Sequence, residues 1–525
     1  MTATKISGLL SEERKKFLVV GCSQAAVVVA AELCLGAQGV DLPVTVRIVR
    51  GLALILTLFG VHIAALHALS SYRERERKED LLIYSLLVSS VVLVSVGNIL
   101  SFALISYGNM HDMWRGVTVE SLALCMPFAL PVLIARSILG LQLGLMVAIV
   151  ETIIMGTYAP VPGITAGLIL TTSIVACVEF VRVRSRSAYL RAAFKISVAS
   201  LPFAVISLLI VPASGTLDAT VRIFGCLVSG GLSGIIAVGL TPVVEYLSGY
   251  ASDMRLIEMA TLDHPLLKEL SVQAPGTWNH SMVIGMMVES AADAIGANPV
   301  MCRVGAYFHD VGKTTKPLYF VENQSPGDNR HDKLSPSMSA LIIRSHVKEG
   351  IELSRKHRLP QVIEDLIAQH HGTSMIEYFY DKARKEADES GNDPESVDKA
   401  SFSYPGPKPQ TREAGLLMLA DGIEAATRTL SEPSFDRIQG LVQKMINKVF
   451  ASGELNECDL TLRDLHVIAK CFTRVLSGIY HQRIAYAEPA EKTGGANQER
   501  GGEDAAGDSE RKEKRRENLK RLGVE

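Results

Sequence analysis

Histidine and aspartate side chains of the kind that bind metal ions recur in the second half of the chain. Of its 13 histidines, ten lie between His264 and His481. Seven side chains in this half stand in segments that predict one common site, namely His280, His309, Asp310, His346, His370, His371 and Asp421. Imidazole and carboxylate ligands together suit divalent transition metals such as Fe and Mn, and octahedral ions need more ligands than structural zinc does. The residue types therefore indicate a metal centre.

Five imidazoles and two carboxylates are too many for one ion and suit two. Because neighbouring residues on a helix diverge by about 100°, His309 and Asp310 can both serve only if the cavity is wide or if each faces a different ion. A carboxylate has two oxygens and can bridge ions ~4 Å apart, whereas a single imidazole nitrogen cannot. We therefore predict that Asp310 is the bridging ligand.

Two other histidine segments show that a single match is weak evidence for a metal site. The evidence lies in the whole series of seven residues in their order along the chain. His331 and Asp332, in the hydrophilic segment "NRHDKL", repeat the dipeptide of His309 and Asp310. No helix aims this second pair, and short matches arise by chance, so we leave it out of the metal set. A lone histidine on a helix, such as His357, is more often a surface or core residue.

The segments that carry the ligands have a helical pattern. "SPSMSALIIRSHVKEGIELSRK" opens with Ser335 as an N-cap and Pro336 at the first helical position, followed by apolar residues at helical spacing. "PQVIEDLIAQHHG" ends in Gly372, a typical helix stop. No alternating strand pattern appears, and residues 313–334 and 389–410 are rich in Gly, Pro, Asn and Asp, which predicts ordered loops or lids. The second half is therefore predicted to be all-helical.

The first half is apolar, and a helix needs ~20 apolar residues to cross a bilayer. Runs of this kind lie near 17–37, 48–70, 81–106, 118–135, 138–158, 163–181, 193–213 and 220–246. The first run suits a signal anchor as well as a stable span. The basic loops 71–78 and 181–191 predict the cytoplasmic side by the positive-inside rule, which places the second half in the cytoplasm. The predicted fold class is all-α, with a polytopic transmembrane domain followed by a cytoplasmic helical domain.

The average composition of the chain conceals these two halves. The 525 residues are 48% hydrophobic, with a mean hydropathy of +0.22 and a formal net charge of −2. We predict an N-terminal segment (1–47), a transmembrane domain of about seven helices (48–247), a cytoplasmic domain (248–489) and a charged disordered tail (490–525). The eight cysteines lack paired spacing and are predicted to be buried hydrophobes. Glu120 and Glu151 lie close to predicted span ends, so a functional role and a plain interfacial placement are both open.

Six longer segments resemble one family. They are "LDHPLLKELSVQAPGTWNHS", "RVGAYFHDVGKTTKPLYFVENQ", "LIIRSHVKEG", "QHHGTSMIEYFY", "YPGPKPQTREAGLLMLAD" and "SGIYHQRIAY". In this order they resemble the seven-transmembrane receptors with an intracellular HD hydrolase domain, of the cyclic di-AMP phosphodiesterase type. The resemblance implies an all-helical HD domain that holds two metals, Fe or Mn, and hydrolyses cyclic di-AMP to the linear dinucleotide pApA. It also implies that His280, His309, Asp310 and Asp421 hold one metal, and that Asp310, His346, His370 and His371 hold the other.

The implied setting is the inner (plasma) membrane, crossed several times, with the HD domain in the cytoplasm. The predicted partners are a cyclic dinucleotide and the lipid bilayer, but no nucleic-acid polymer. A homodimer or a membrane signalling partner is left open. Only "GAQGVDLPVT" separates the first two apolar runs, where relatives commonly carry a large extracytoplasmic domain. Gly422 stands where the family often has a serine, which removes a hydroxyl but no metal ligand.

Catalytic and substrate contacts are predicted around Asp310. Two cations would activate a water molecule and neutralise phosphoryl charge. Lys313 follows one turn later, after Gly312 as a helix break, and is predicted to place positive charge at the phosphate; a solvated helix end is the alternative. Asn323 and Gln324 of "YFVENQ" are predicted either to contact the nucleotide or to pack under the site.

Three other functions are weighed. A different HD enzyme, such as a cyclic di-GMP phosphodiesterase, would carry a GYP-type motif after the paired histidines, where "HHGTSMIEYFY" stands. A receptor that binds the dinucleotide without turnover would lack ligands, and none of the seven is lost. A transporter would show charged or broken helices at mid-membrane, and the apolar runs show few such features.

Overall fold

The computed structural model describes residues 116–158, 161–179, 185–248, 251–325 and 327–480, with a few further positions between 43 and 56. Within these ranges the chain is helical, and its one β pairing is an isolated bridge between Met375 and Ser403. The all-α prediction is confirmed for this part of the chain. The apolar runs predicted at 17–37 and 81–106, most of the run at 48–70, and the tail 490–525 lie outside the described residues.

The described helices are numbered here in chain order. They are α1 (Val119–Ala123), α2 (Leu130–Leu139), α3 (Leu141–Tyr158), α4 (Pro162–Glu179), α5 (Ser187–Ile210), α6 (Thr216–Ser248), α7 (Asp253–Met259), α8 (Pro265–Gln273), α9 (Pro275–Ile295), α10 (Pro299–Phe308), α11 (Pro336–Lys356), α12 (Gln361–Gln369), α13 (Glu377–Glu389), α14 (Arg412–Thr427), α15 (Phe435–Ala451) and α16 (Leu462–Ile479).

The apolar run at 118–135 is broken into α1 and α2, so the prediction of a single span there is wrong. Pro127 lies in the break and lacks the N–H that a continuing helix would use. Pro131 stands in the first turn of α2, where a proline costs no hydrogen bond. The run at 138–158 begins in the last residues of α2 and continues in α3 after Gly140, and the other three runs in the described residues lie mainly on α4, α5 and α6.

Two of the described helices are long and apolar enough to cross a bilayer, namely α5 and residues 216–246 of α6. Large apolar side chains point outward from both, and Leu209 is 79% exposed. Such exposed apolar surface suits a lipid environment. The two helices approach closely at Gly230, where an added Cβ would lie 2.4 Å from the backbone N of Ser197. Small residues at the contact are what close packing of membrane helices requires.

Charged side chains are buried within this apolar part. Arg222 and Asp218 of α6 form an ion pair of 2.9 Å, and both side chains are almost completely buried. Glu151 of α3 is 1% exposed, and neither of its carboxylate oxygens has a hydrogen-bond partner. Glu120 is half-buried. Glu151 therefore lies inside the helix bundle and not on its surface.

A short helix, α7, connects the apolar part with the helices that follow. The side chain of Asn298, the N-cap of α10, donates to Asp253 Oδ1 of α7 at 2.8 Å. The backbone N–H of Asn298 donates to Glu413 Oε1 in the first turn of α14 at 2.9 Å. Through this residue α7 contacts the starts of α10 and α14, both of which lead to predicted metal ligands.

Several of the helices from α9 onward share an apolar core. Buried side chains from five of them, none more than 2% exposed, are Ile284, Val288, Phe308, Leu366, Leu417 and Phe472. Burial of one such side chain contributes about 1.5–3 kcal/mol. This core fixes α9, α10, α12 and α14, and these four helices carry or lead into six of the seven predicted ligands.

Candidate metal centre

The seven predicted ligands converge in one buried place. His280 lies on α9, His346 on α11 and Asp421 on α14, and all three are buried. The other four follow helix ends: His309 is the C-cap of α10 with Asp310 next to it, and His370 is the C-cap of α12 with His371 next to it. His371 is the most exposed of the five histidines, with 22% of its side chain accessible.

Adjacent side chains on a continuous helix point about 100° apart, which would keep neighbouring ligands from facing the same site. Both pairs of adjacent ligands lie at helix ends, where this restriction does not apply. Helix α10 stops at Phe308, and Asp310 has a non-helical backbone (φ −107°, ψ 15°) before the 3-10 turn Val311–Thr315. Gly312 lies in this turn, where an added Cβ would be 1.9 Å from the carbonyl oxygen of His346. The prediction that Gly312 acts as the helix break is therefore wrong, because its role is to let the turn contact α11.

The ligand atoms form two groups. One contains His280, His309 and Asp310, and the other contains His346, His370 and His371, with the ligand atoms of each group within 4.8 Å of one another. The histidines fall into the same two sets that the family resemblance implied, and the assignment of each set to one metal ion stays a prediction. The ions of a two-metal site lie about 3.5–4 Å apart, so a carboxylate placed between two such groups can contact both ions.

Asp310 lies between the two groups. Its Oδ2 is 3.2 Å from His309 Nε2 and 3.8 Å from His280 Nε2. Its Oδ1 is 3.3 Å from His346 Nε2 and 3.8 Å from His370 Nε2. One oxygen therefore faces each group, as a bridging carboxylate requires.

Asp421 provides the second carboxylate. Its Oδ1 is 3.0 Å from His280 Nε2 and 3.9 Å from His309 Nε2. Its Oδ2 is 3.5 Å from His371 Nδ1, so this residue also contacts both groups.

Buried polar atoms without partners mark the centre of the cluster. Nε2 of His309 and Oδ1 of Asp310 are buried and make no hydrogen bond. A buried polar atom with no partner is costly unless something else binds it. Divalent cations between the two groups would satisfy both atoms, so the side chains present fit a metal centre.

Most of the ligand rings are oriented through their other nitrogen. His309, His346 and His370 each direct Nδ1 to a backbone carbonyl oxygen three residues earlier, at 2.7, 2.5 and 2.7 Å respectively. His280 instead directs Nδ1 to the carboxylate of Glu424. In all four rings Nε2 is left to face the cluster. This use of the second nitrogen is typical of histidines that bind metals.

The electrostatic environment keeps the carboxylates ionised. Burial would raise the pKa of Asp310, but the neighbouring His309 and the ammonium of Lys313 outweigh it and hold this pKa well below its usual range. Burial also opposes ionisation of Asp421, and the hydrogen bond from His280 reverses the effect, so its pKa is lowered as well. Both side chains are therefore anionic ligands at neutral pH.

The histidines divide into two kinds. Burial would lower the pKa of His280, but hydrogen bonds to Asp421 and Glu424 raise it to about 9. Burial dominates at His370, whose pKa is well below its usual value, and at His371, whose pKa is lowered to about 3. Neutral His370 and His371 can offer a nitrogen lone pair at pH 7, whereas a cation at His280 Nε2 must displace a proton.

Lys313 lies inside the site. Its Nζ is 2.6 Å from Asp310 Oδ2 and 2.9 Å from Glu322 Oε1, and only 12% of its side chain is exposed. Burial would lower its pKa, but Asp310 and Glu322 raise it. The alternative interpretation of Lys313 as a solvated helix end is therefore wrong. Contact with a phosphate stays a prediction.

Asn323 and Gln324 have partners within the protein. The side-chain oxygen of Asn323 accepts hydrogen bonds from the backbone N–H groups of Gly276 and Thr277 at 2.9 and 3.2 Å. These groups belong to the first turn of α9, so Asn323 stabilises the start of the helix that carries His280. Gln324 donates to the carbonyl oxygen of Leu318 at 3.0 Å. Their predicted contact with a nucleotide is untested.

Three neighbours of the ligands were not predicted from the sequence. Glu322 binds Lys313, and Glu424 binds His280. Tyr404 stacks on the ring of His371, with the ring centroids 4.2 Å apart. Glu424 follows Asp421 by three residues, which places both on one face of α14 and is a signal that could have found it. Tyr404 comes from a distant loop, and only the tertiary structure shows its position.

The chain matches two family models. Residues 46–252 match the model described as 7TM receptor with intracellular HD hydrolase, and residues 277–426 match the HD domain. All seven predicted ligands lie within the second range.

Relatives cover both halves. The cyclic-di-AMP phosphodiesterase PgpH of Listeria monocytogenes is 34% identical over 437 residues, which is 82% of this chain and 58% of the relative. PgpH of Bacillus subtilis is 42% identical over 291 residues, which is 55% of this chain and 40% of the relative. The chain thus spans about half the length of these relatives. Crystal structures of the L. monocytogenes PgpH HD domain, alone and in complex with cyclic di-AMP, are 43% identical to this chain, cover 42% of it and 100% of their own chain, and have a TM-score of 0.39.

The two described helices that are long and apolar enough to cross a membrane lie within the range that matches the 7TM model. The range that matches the HD domain follows it in the chain. The protein is a membrane protein that belongs to the family of 7TM receptors with an intracellular HD hydrolase.

Proposed function

We propose that this chain is a membrane-anchored, metal-dependent phosphodiesterase that hydrolyses cyclic di-AMP to the linear dinucleotide pApA. The observation that carries the reaction class is the position of Asp310, whose two oxygens face two separate groups of histidines. The substrate follows from the two PgpH relatives, both of which are named cyclic-di-AMP phosphodiesterases.

Two divalent transition-metal ions fit the site, and we propose Fe or Mn because the ligands are imidazoles and carboxylates. His280, His309, Asp310 and Asp421 would hold one ion, and His346, His370, His371 and Asp310 the other. A bound pair of such ions lowers the pKa of a water molecule and neutralises charge on a phosphodiester.

The protein itself contributes charged side chains at fixed positions and a buried site that excludes water. Asp310 and Asp421 are anionic, and their burial strengthens every electrostatic contact within the site. The ammonium of Lys313 lies next to Asp310, so it is placed to contact a phosphate oxygen that approaches the same cluster. Glu322 also binds this ammonium, at 2.9 Å, and accepts a hydrogen bond from Thr277 at 2.9 Å.

The loop before α14 forms one wall of the site. Tyr404 stacks on His371, and its backbone N–H donates to the carbonyl oxygen of Ser374 at 3.0 Å. The N–H of Ile376 donates to the carbonyl oxygen of Phe402 at 2.8 Å. These paired backbone segments fix an aromatic ring at the most exposed ligand, where a flat base could also stack.

The direct experiment is product analysis. The purified chain in detergent, loaded with Mn²⁺, would be incubated with cyclic di-AMP, cyclic di-GMP and a mixed cyclic dinucleotide, and the products separated by chromatography. We expect conversion of cyclic di-AMP to pApA. Intact cyclic di-AMP beside a cleaved alternative would show another HD phosphohydrolase, and binding without cleavage of any of them would show a receptor without turnover.

The proposed location is the inner (plasma) membrane with the HD domain in the cytoplasm. The basic segment 181–191 supports this orientation by the positive-inside rule. Protease added to right-side-out vesicles should leave the HD domain intact, whereas digestion of it there would place the domain outside.

A further inference from the structure

The two groups of ligands differ in the partners behind their rings. His346 and His370, in the second group, direct Nδ1 to neutral backbone carbonyls. His280, in the first group, directs Nδ1 to Glu424, whose side chain is fully buried. A carboxylate behind a ligating imidazole makes the imidazole a stronger donor than a carbonyl does.

Charge adds to this difference. Asp310 serves both groups, but Asp421 Oδ1 and Glu424 both contact His280 of the first group. Lys313 contacts Asp310 on the oxygen that faces the first group, yet its charge is shared with Glu322. Asp421 lies closer to His280, at 3.0 Å, than to His371 of the second group, at 3.5 Å. This carboxylate and Glu424, which is paired with Arg428, therefore favour a cation on the side of His280.

Glu424 is itself held in place. Its Oε1 accepts a hydrogen bond of 2.7 Å from Nε of Arg428, one turn further along α14, while its Oε2 contacts His280 Nδ1. Because α14 also carries Asp421, one helix supplies a ligand and the group that orients a second ligand.

We propose that Glu424 is a positioning residue that makes the site of His280, His309, Asp310 and Asp421 the tighter of the two metal sites, so that the two ions bind in a fixed order. This inference rests on the two-metal site of the proposed function but is independent of the substrate. Loss of a carboxylate behind a ligating histidine typically costs about 10- to 100-fold in metal affinity. We expect a loss of this size at one site and not at the other.

The test is Mn²⁺ titration of the full chain with Glu424→Gln, a variant that keeps the shape of the side chain and a hydrogen-bond acceptor. It would be made in two backgrounds, each designed to leave one intact site. In His370→Ala the tighter site remains, and Glu424→Gln should weaken Mn²⁺ binding about 10- to 100-fold. In His309→Ala the other site remains, and Glu424→Gln should leave the affinity unchanged.

Glu364→Gln is the matched control. Glu364 is also a mostly buried carboxylate that binds an arginine, Arg355, at 2.7 Å. It lies on α12, whose C-cap is His370, but its hydrogen-bond partners are Arg355 and Ser354, neither of which is a predicted ligand. Its replacement should leave Mn²⁺ affinity unchanged in both backgrounds. Thermal melting of each metal-free variant would confirm that it folds.

Equal weakening in both backgrounds would overturn the proposal, as would no weakening in either. A chain that binds two Mn²⁺ ions in this order but does not cleave cyclic di-AMP would support the role of Glu424 and contradict only the proposed function.

Discussion

Replacement of Asp310 by asparagine is the perturbation that the geometry makes most informative. The two oxygens of Asp310 lie 3.2–3.8 Å from four ring nitrogens that belong to two ligand groups. Asparagine keeps the shape and one oxygen but loses the negative charge and puts an NH₂ group at the other position. One group of histidines therefore loses its shared ligand, and both lose a balancing charge.

The expected loss of turnover rate follows from the role of the two bound metal ions. Stabilisation of transition-state charge by bound metal is worth several kcal/mol, and a loss of ~4 kcal/mol lowers the rate by about 10³-fold. We therefore expect Asp310→Asn to lower turnover of cyclic di-AMP by at least about this factor. The rate would be followed by chromatography of pApA, and the metal content by elemental analysis of the same preparation.

The second dipeptide of the same type provides the control. Asp332 follows His331 in the 3-10 turn Arg330–Lys333 and accepts a hydrogen bond of 2.8 Å from the side chain of Asn329, outside the ligand cluster. Asp332→Asn should retain the wild-type rate and metal content. A folded Asp310→Asn protein with wild-type turnover and two bound metals would refute the bridging assignment.

Three further results are expected. Lys313→Met leaves Glu322 buried without its cation, so the metal-free protein should lose about 3–5 kcal/mol of unfolding free energy in a denaturant titration, and an unchanged midpoint would contradict this. The pKa of His264 is lowered by burial and by His357, so this residue binds a proton less readily in the folded chain than in the unfolded chain. The stability of the fold should therefore fall as pH drops below about 6.5. His264→Leu should flatten this part of the plot of melting temperature against pH, and an equally steep plot would count against the assignment. Asn298→Ala removes the N-cap of α10 and should lower the free energy of unfolding by about 1 kcal/mol, measured by thermal melting. Asn298→Ser keeps a capping oxygen and should retain most of this stability.

All seven predicted ligands meet in the structure, because their sequence segments carry both the residue type and the helical context. Ser335 caps α11, as predicted, and α12 ends shortly before Gly372. Helix ends were harder to place than helices: the pattern put His309 and Asp310 within a helix, but α10 ends at Phe308.

Contacts between distant segments could not be predicted in the same way. Asn323 binds the start of α9, 46 residues earlier in the chain, and Glu424 reaches His280 across 144 residues. In the apolar part, the break between α1 and α2 depends on Pro127, which a count of apolar residues ignores. Arg222 lies inside a run predicted as a span, and its burial depends on the partner Asp218 one turn away.

The most direct test of the shared metal centre is electron paramagnetic resonance of the Mn²⁺-loaded chain. Because Asp310 contacts both groups of histidines, two Mn²⁺ ions per chain should give the exchange-coupled spectrum of a bridged pair, and Asp310→Asn should abolish it. A fully active preparation whose spectrum shows only isolated Mn²⁺ ions would contradict the account.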